Sequence, residues 1–167
     1  GFSVLSMLRK TSDTPVVMVT ARGAEEERIR GFSQGADDYL TKPFNATELS
    51  LRVEAILRRC RPAKTAPATT QQSLEGLSLD PARQRASALG QLIELTPIQF
   101  QLLYTLMLHR GEVLSKAFLY KAVLRRSYGQ YDRSLDMHLS RVRRKLLATG
   151  WPAERLRSVH GRGYCLT

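Results

Sequence analysis

The chain has 167 residues, with 26 Lys+Arg against 15 Asp+Glu, a formal charge of +11, 43% apolar and 25% charged residues. That balance fits a folded chain of one large or two small domains and excludes wholesale disorder. The apolar runs fall far short of the roughly 20 residues that cross a bilayer, and two cysteines, Cys60 and Cys165, form neither a disulfide framework nor a zinc pattern.

These exclusions predict a cytoplasmic, reducing setting with no membrane attachment, no metal and no cofactor. The N-terminus opens Gly1-Phe2-Ser3 without Met, and its first basic pair, Arg9-Lys10, follows the apolar stretch. That is the wrong order for a signal peptide, and it predicts a fragment or a processed product.

Phe2, Val4, Leu5 and Leu8 have helical spacing. Pro15 introduces the β-branched run Val16-Val17-Met18-Val19-Thr20, which predicts a buried strand. Residues 24–33 predict a charged helix with Ile29 and Phe32 inward, ended by Gly35. Asp37-Asp38-Tyr39-Leu40 is a second short strand, and Asn45 caps a third helix whose apolar stripe is Leu49, Val53, Ile56 and Leu57. The order α-β-α-β-α implies parallel strands with helical crossovers.

Thr20-Ala21-Arg22-Gly23 and Gly35-Ala36-Asp37-Asp38-Tyr39-Leu40-Thr41-Lys42-Pro43-Phe44 resemble the second half of a response-regulator receiver domain, a flavodoxin-like α/β fold. The resemblance covers residues 1–61. It implies that Thr20 and Lys42 contact a phosphoryl group on an aspartate, that Tyr39 is a rotamer switch, and that the Lys42–Pro43 bond is cis. A hydroxyl and an ammonium are donors suited to a phosphoryl anion. By family spacing the phosphoacceptor Asp and the acidic Mg²⁺ pocket lie before Gly1. The expectation is therefore a chain that takes up no phosphoryl group itself and exposes apolar surface and a strand edge. The resemblance also implies a homodimer face pairing Arg28 with Glu48, Asp38 with Arg52 and Asp37 with Arg59, whose opposite charges would set register and partner choice.

Residues 62–73 carry no large apolar side chain and are rich in Pro, Ala, Thr and Gln, which predicts a linker. Charge divides across it. Residues 1–61 hold 10 basic and 8 acidic side chains, residues 74–167 hold 15 and 7, and 133–162 alone hold 8 and 2. So concentrated a charge points to a polyanionic partner.

Residues 74–79, 85–89 and 91–95 alternate as three short strands of an antiparallel sheet. Thr96-Pro97-Ile98-Gln99 combines an N-cap, Pro at the first helical position and Gln at the third, opening a helix to about residue 109 with Ile98, Leu102, Leu103, Leu106 and Met107 inward. Ser115 caps a second helix to about residue 124. A polar loop, 125–131, leads to a third helix over 132–148. Residues 156–159 and 164–166 close as a hairpin about Gly161 and Gly163. Strands, three helices and a hairpin make an α+β winged helix-turn-helix domain over 74–167.

On the third helix Leu135, Leu139, Val142 and Leu146 form one apolar stripe, and Arg133, Met137, Ser140, Arg141 and Arg144 stand opposite. An apolar back with an Arg-rich front suits the major groove, where Arg bonds guanine bidentately. Arg143 and Lys145 flank that face and His138 lies at its edge, all three positioned for phosphates. The hairpin offers Arg155, Arg157, Ser158, His160 and Arg162 to the backbone or the minor groove.

Residues 132–146 and Gly161-Arg162-Gly163-Tyr164 resemble the effector domain of the OmpR/PhoB family, with the third helix pointing to its envelope-stress branch. The resemblance implies head-to-tail binding to direct repeats of double-stranded promoter DNA. It further implies a sensor kinase as partner of the full-length protein and a loop facing RNA polymerase, through Arg125, Arg126, Tyr128 and Tyr131. Where the family carries an Arg that reads the minor groove, this chain has His160, which shifts that role toward Arg162. An enzyme is not expected. Gly161 and Gly163 do not open a helix as a dinucleotide loop does, and no nucleophile–base constellation stands out. The competing reading is a protein-interaction module that docks an acidic partner on the basic third helix.

Overall fold

The computed structural model describes residues 1–12, 14–21, 34–60, 71–125, 128–129 and 132–167, with the side chains of 58–60 also outside the described set. The helix expected over 24–33 with its Ile29 and Phe32, the dimer-face residues Arg28 and the Arg59 side chain, most of the linker, and Arg126 and Tyr131 all lie outside it.

Helix α1 (Phe2–Thr11) opens the chain. Strands β1 (Val17–Thr20) and β2 (Asp38–Thr41) then pair in parallel, from Val17 opposite Asp38 to Thr20 opposite Thr41. Helix α2 (Ala46–Cys60) follows the cis Lys42–Pro43 bond, and the Asn45 carboxamide accepts from the Thr47 amide at 2.8 Å to cap it. A small core forms from Leu5, Ala36 and Tyr39, with Val16 and Met18 partly buried against it. The expected stripes are only partly used. Leu5 is buried on α1 while Val4 stands open, and Ile56 is buried on α2 while Val53 and Leu57 are exposed. Helical period selects a face, but burial of that face needs a neighbour, and Val4, Val53 and Leu57 are left largely open.

The expected linker is shorter than its composition suggested, because Gln72 and Ser73 already belong to a strand. The three strands expected next are four: β3 (Gln72–Leu74), β4 (Leu77–Asp80), β5 (Arg85–Ala88) and β6 (Gln91–Ile93), an antiparallel meander in chain order. Residues 74–79 divide because Glu75 and Gly76 both take positive φ, 42° and 85°, the geometry of a two-residue hairpin turn.

Helix α3 (Pro97–Leu108) begins in a reciprocal cap: the Gln99 amide donates to the Thr96 hydroxyl, and the Thr96 amide donates to the Gln99 carboxamide. Helix α4 (Lys116–Leu119), capped by Ser115, runs into a wide π turn (Tyr120–Leu124) that ends at Arg125 in left-handed conformation. Helix α5 (Ser134–Ala148) is followed by the hairpin β7 (Leu156–Val159) and β8 (Gly163–Leu166). A second, larger core fills this unit. It joins Leu77 and Leu79 of the meander, the inward face of α3 with all five expected residues, the α5 stripe Leu135, Leu139, Val142 and Leu146, and Trp151. The Trp151 indole donates to the Glu75 carbonyl at 3.2 Å, and Arg155 forms an ion pair with the Glu75 carboxylate, so the meander turn is tied to the far end of α5.

Candidate nucleic-acid interface

Helix α5 is oriented by a carboxylate at its first turn. Asp136 accepts Lys116 Nζ from α4 at 2.9 and 3.0 Å, and the Tyr164 hydroxyl of β8 donates to it as well. Burial, and then the bond to Asp136, push the Tyr164 phenol well above its usual range, so it stays a donor at neutral pH. A second phenol sets the start of the helix. The Tyr120 hydroxyl donates to the Asp132 carbonyl at 2.6 Å and lies 3.3 Å from the Ser134 hydroxyl.

The hairpin is positioned by a third contact. Leu114, just before α4, exchanges two backbone hydrogen bonds with Tyr164, at 2.8 and 2.9 Å. Gly163 passes so close to Leu114 that a Cβ there would land on the Leu114 carbonyl. The result is a cleft of about 500 Å³ between the N-terminus of α4, Asp136 and the hairpin, lined in part by Ser115, Ser158, His160 and Arg162.

On α5, Arg133, Ser140 and Arg144 project to solvent, as a base- or phosphate-contacting face requires. On the hairpin, Arg157, Ser158, His160 and Arg162 are exposed. Three of the residues expected at phosphates are engaged within the fold. Arg143 does not reach outward. Its Nε donates to the Leu156 carbonyl at 2.6 Å and its Nη2 to the Ser158 hydroxyl at 3.0 Å, fastening helix to hairpin, and burial lowers its pKa. His138 is only 2% exposed, buried between the rows of the apolar stripe rather than placed for a phosphate. Lys145 donates to the Glu94 carbonyl of the segment before α3, so it too braces the fold. In the loop after α4, Arg125 and Tyr128 are exposed.

Met137 and Arg141 are half-buried, and what covers them is the N-terminal unit. Met137 packs against the cluster of Leu5, Ala36 and Tyr39. The Arg141 guanidinium lies over Gly35, 2.5 Å from where a Cβ would stand. Asp37, beside it, is 2% exposed and meets Arg9 Nη2 at 3.0 Å and the Val16 amide at 2.9 Å. Burial raises the Asp37 pKa to about 6, against the lowering effects of the Val16 amide, Arg9, Thr96 and Arg141. Asp37 is therefore buried and paired inside the chain, where the expected face would need it exposed. Asp38 and Glu48 both pair with Arg52 within the chain, at 2.9 and 2.7 Å.

The three switch residues separate by depth. The Lys42 amide donates to the Thr20 carbonyl at 2.6 Å, which brings both residues to the carboxyl end of the parallel pair, where ligands of such sheets bind. Thr20 is half-buried, Lys42 exposed, and Tyr39 buried on β2. Among the described residues no group of His, Cys, Asp and Glu could hold a metal ion, and no helix is long and apolar enough to cross a membrane.

Two family models match the chain. Residues 1–54 match the response regulator receiver domain, and residues 90–166 match the family described as "transcriptional regulatory protein, C terminal". The transcriptional regulatory protein CpxR of Klebsiella pneumoniae is 44% identical over 170 residues, covering 99% of this chain and 73% of that protein. The transcriptional activator protein PfeR of Pseudomonas aeruginosa is 43% identical over 166 residues, and the chain spans 54% of its length. The crystal structure of the DNA binding domain of CpxR from E. coli superposes with a TM-score of 0.54 at 39% identity, over 59% of this chain and 96% of that one.

Proposed function

The chain belongs to the OmpR/PhoB-type response regulators of two-component systems, with a receiver domain and a winged-helix DNA-binding domain, and from that premise we propose that it regulates transcription by sequence-specific binding to double-stranded promoter DNA. The observation that carries the reading is the pair of exposed basic surfaces on one unit. Arg133, Ser140 and Arg144 stand free on α5, and Arg157, His160 and Arg162 stand free on the adjoining hairpin. Helix side chains read base edges in the major groove, while the hairpin takes the backbone or the minor groove. Asp136, Lys116 and Tyr164 fix the angle between the two.

The family relation supports direct repeats as target, RNA polymerase as the partner of Arg125 and Tyr128, and a sensor kinase acting on the receiver domain. Thr20, Tyr39 and Lys42 are the parts of its phosphoryl-responsive switch that this chain holds. Homodimers through the receiver half are part of the proposal, with Asp38, Glu48 and Arg52 exchanging their pairs across the two-fold axis.

Selection from a random duplex library tests this. A direct repeat spaced about one helical turn is the expected product. Enrichment of no motif would overturn base reading, and salt-sensitive capture of an acidic protein instead would favour the interaction-module reading.

A further inference from the structure

We propose that DNA binding by this chain is coupled to the uptake of one proton at His160, the side chain at the tip of the hairpin; this rests on the hairpin being a DNA-contacting element. The tip is short. Val159 pairs with Gly163, which leaves three residues between the strands, and the Arg162 amide donates to the Val159 carbonyl at 3.0 Å. That bond closes a turn with His160 and Gly161 at its two corners. Gly161 takes φ +67° and has no side chain, and a Cβ there would meet nothing within 4 Å. His160 is exposed, and it is the side chain that the hairpin carries at its apex. Arg162 stands at the strand end of the turn, so the apical contact falls to position 160.

His160 borders the cleft on the α4 side and an open groove on the α5 side. Toward α4 it faces Lys116, already paired with Asp136 at 2.9 Å, and the phenols of Tyr128 and Tyr164. Toward α5 it faces Arg143, engaged with Leu156 and Ser158, then Arg144 and the carboxylate of Glu154. Arg157 and Arg162 flank it on the hairpin itself. Guanidinium, ammonium, carboxylate and phenol groups ordinarily hold one charge state between about pH 5 and 8, and imidazole is the side chain that ordinarily changes there. Protonated, it adds a cation at the point of the hairpin that meets the minor groove, where narrow stretches carry an enhanced negative potential. A polyanion favours the protonated form of an imidazole it meets, and by linkage the proton strengthens binding as much as binding holds the proton. A guanidinium at the apex would make a contact indifferent to pH. The imidazole makes the same contact conditional on it.

Fluorescence anisotropy tests the coupling in the full chain. Affinity is measured from about pH 8 to about pH 6 for the enriched duplex and for a random-sequence duplex of about three helical turns. Wild type is compared with His160→Gln and His160→Arg, and Trp151 fluorescence confirms that each variant keeps its fold. Over that range wild type should gain about five-fold relative to His160→Gln, within the limit of about ten-fold per pH unit that one proton sets. Its slope of log affinity against log salt should steepen by about 1 on acidification, while His160→Arg should hold the steeper slope throughout. Other titrating groups, Asp37 among them, are common to all three proteins and cancel in the comparison. The same pH dependence in wild type and His160→Gln, or a salt slope that acidification leaves in place, overturns the proposal. A larger gain on a duplex flanked by A-tracts than on one flanked by G·C pairs assigns the imidazole to the minor groove, and equal gains assign it to the phosphates beside it; both support the coupling. The two readings fail separately. Absence of duplex binding at every pH overturns the DNA assignment and the coupling together, whereas sequence-selective binding with one pH dependence for wild type and His160→Gln overturns only the coupling.

Discussion

Gly163→Ala should be far more damaging than Gly161→Ala, although both glycines have positive φ, +147° and +67°. At Gly161 a Cβ meets nothing within 4 Å. The cost there is backbone strain alone, about 1 kcal/mol. At Gly163 the new methyl collides with the Leu114 carbonyl and lies 2.9 Å from Ser115 Cα, both of them main chain that cannot swing aside. Relief requires Leu114 and β8 to part, breaking two hydrogen bonds of 2.8 and 2.9 Å, each contributing about 1 kcal/mol. With the strain term the total comes to about 3 kcal/mol, or roughly 12–24 °C in the melting temperature of a unit of this size. Trp151 is the only tryptophan and is fully buried in the winged-helix core, so its fluorescence follows this unit and no other. Equal losses for the two variants, or a loss under about 1 kcal/mol for Gly163→Ala, would refute the argument from close approach.

Three further outcomes follow from named contacts. Arg144→Ala should reduce the slope of log affinity against log salt by about 1, while Arg143→Ala should leave that slope unchanged and instead destabilise the unit by about 1–3 kcal/mol through loss of its bonds to Leu156 and Ser158. Tyr120→Phe should cost about 1 kcal/mol in thermal unfolding by removing the donor to the Asp132 carbonyl, and a neutral result would show that water replaces it. For Asp37, the folded pKa of about 6 lies above the ordinary 3.8. The folded state therefore binds the proton more tightly, and stability contributed by this group rises as pH falls from 7 to 5, by about 1 kcal/mol. Urea unfolding followed by circular dichroism should show wild type gaining on Asp37→Asn across that range, and parallel curves would contradict the buried carboxylate.

Much of the winged-helix unit was legible because its signals are local. Thr96-Pro97-x-Gln99 satisfies its own amides wherever it stands, and the α5 stripe needs only a period of 3.6. The turn at Glu75-Gly76 carries its own signal: Leu74 and Leu77 are three apart, which breaks the period of two that Leu77 and Leu79 keep. His138 could have been placed by the same arithmetic, since it sits three after Leu135 and four before Val142 and so belongs with them. Arg143 and Asp37 are different. Nothing local tells which of Arg143 and Arg144 bends back onto a hairpin that arrives thirteen residues later, or which of two adjacent aspartates meets Arg9. Those outcomes depend on approach between distant segments, as does the cover over Met137.

The carboxylate of Asp136 ties α5 to both α4 and β8, and this has a calorimetric consequence. A helix already held by Lys116 and Tyr164 has no ordering left to do when it meets a duplex. Its association should therefore show the heat-capacity change of the surface it buries and little more, with an entropy free of the large penalty that marks helices that fold on contact. Replacing Asp136 by Asn would shift part of that ordering into the binding step, and the heat capacity of association should become more negative even where the affinity barely moves.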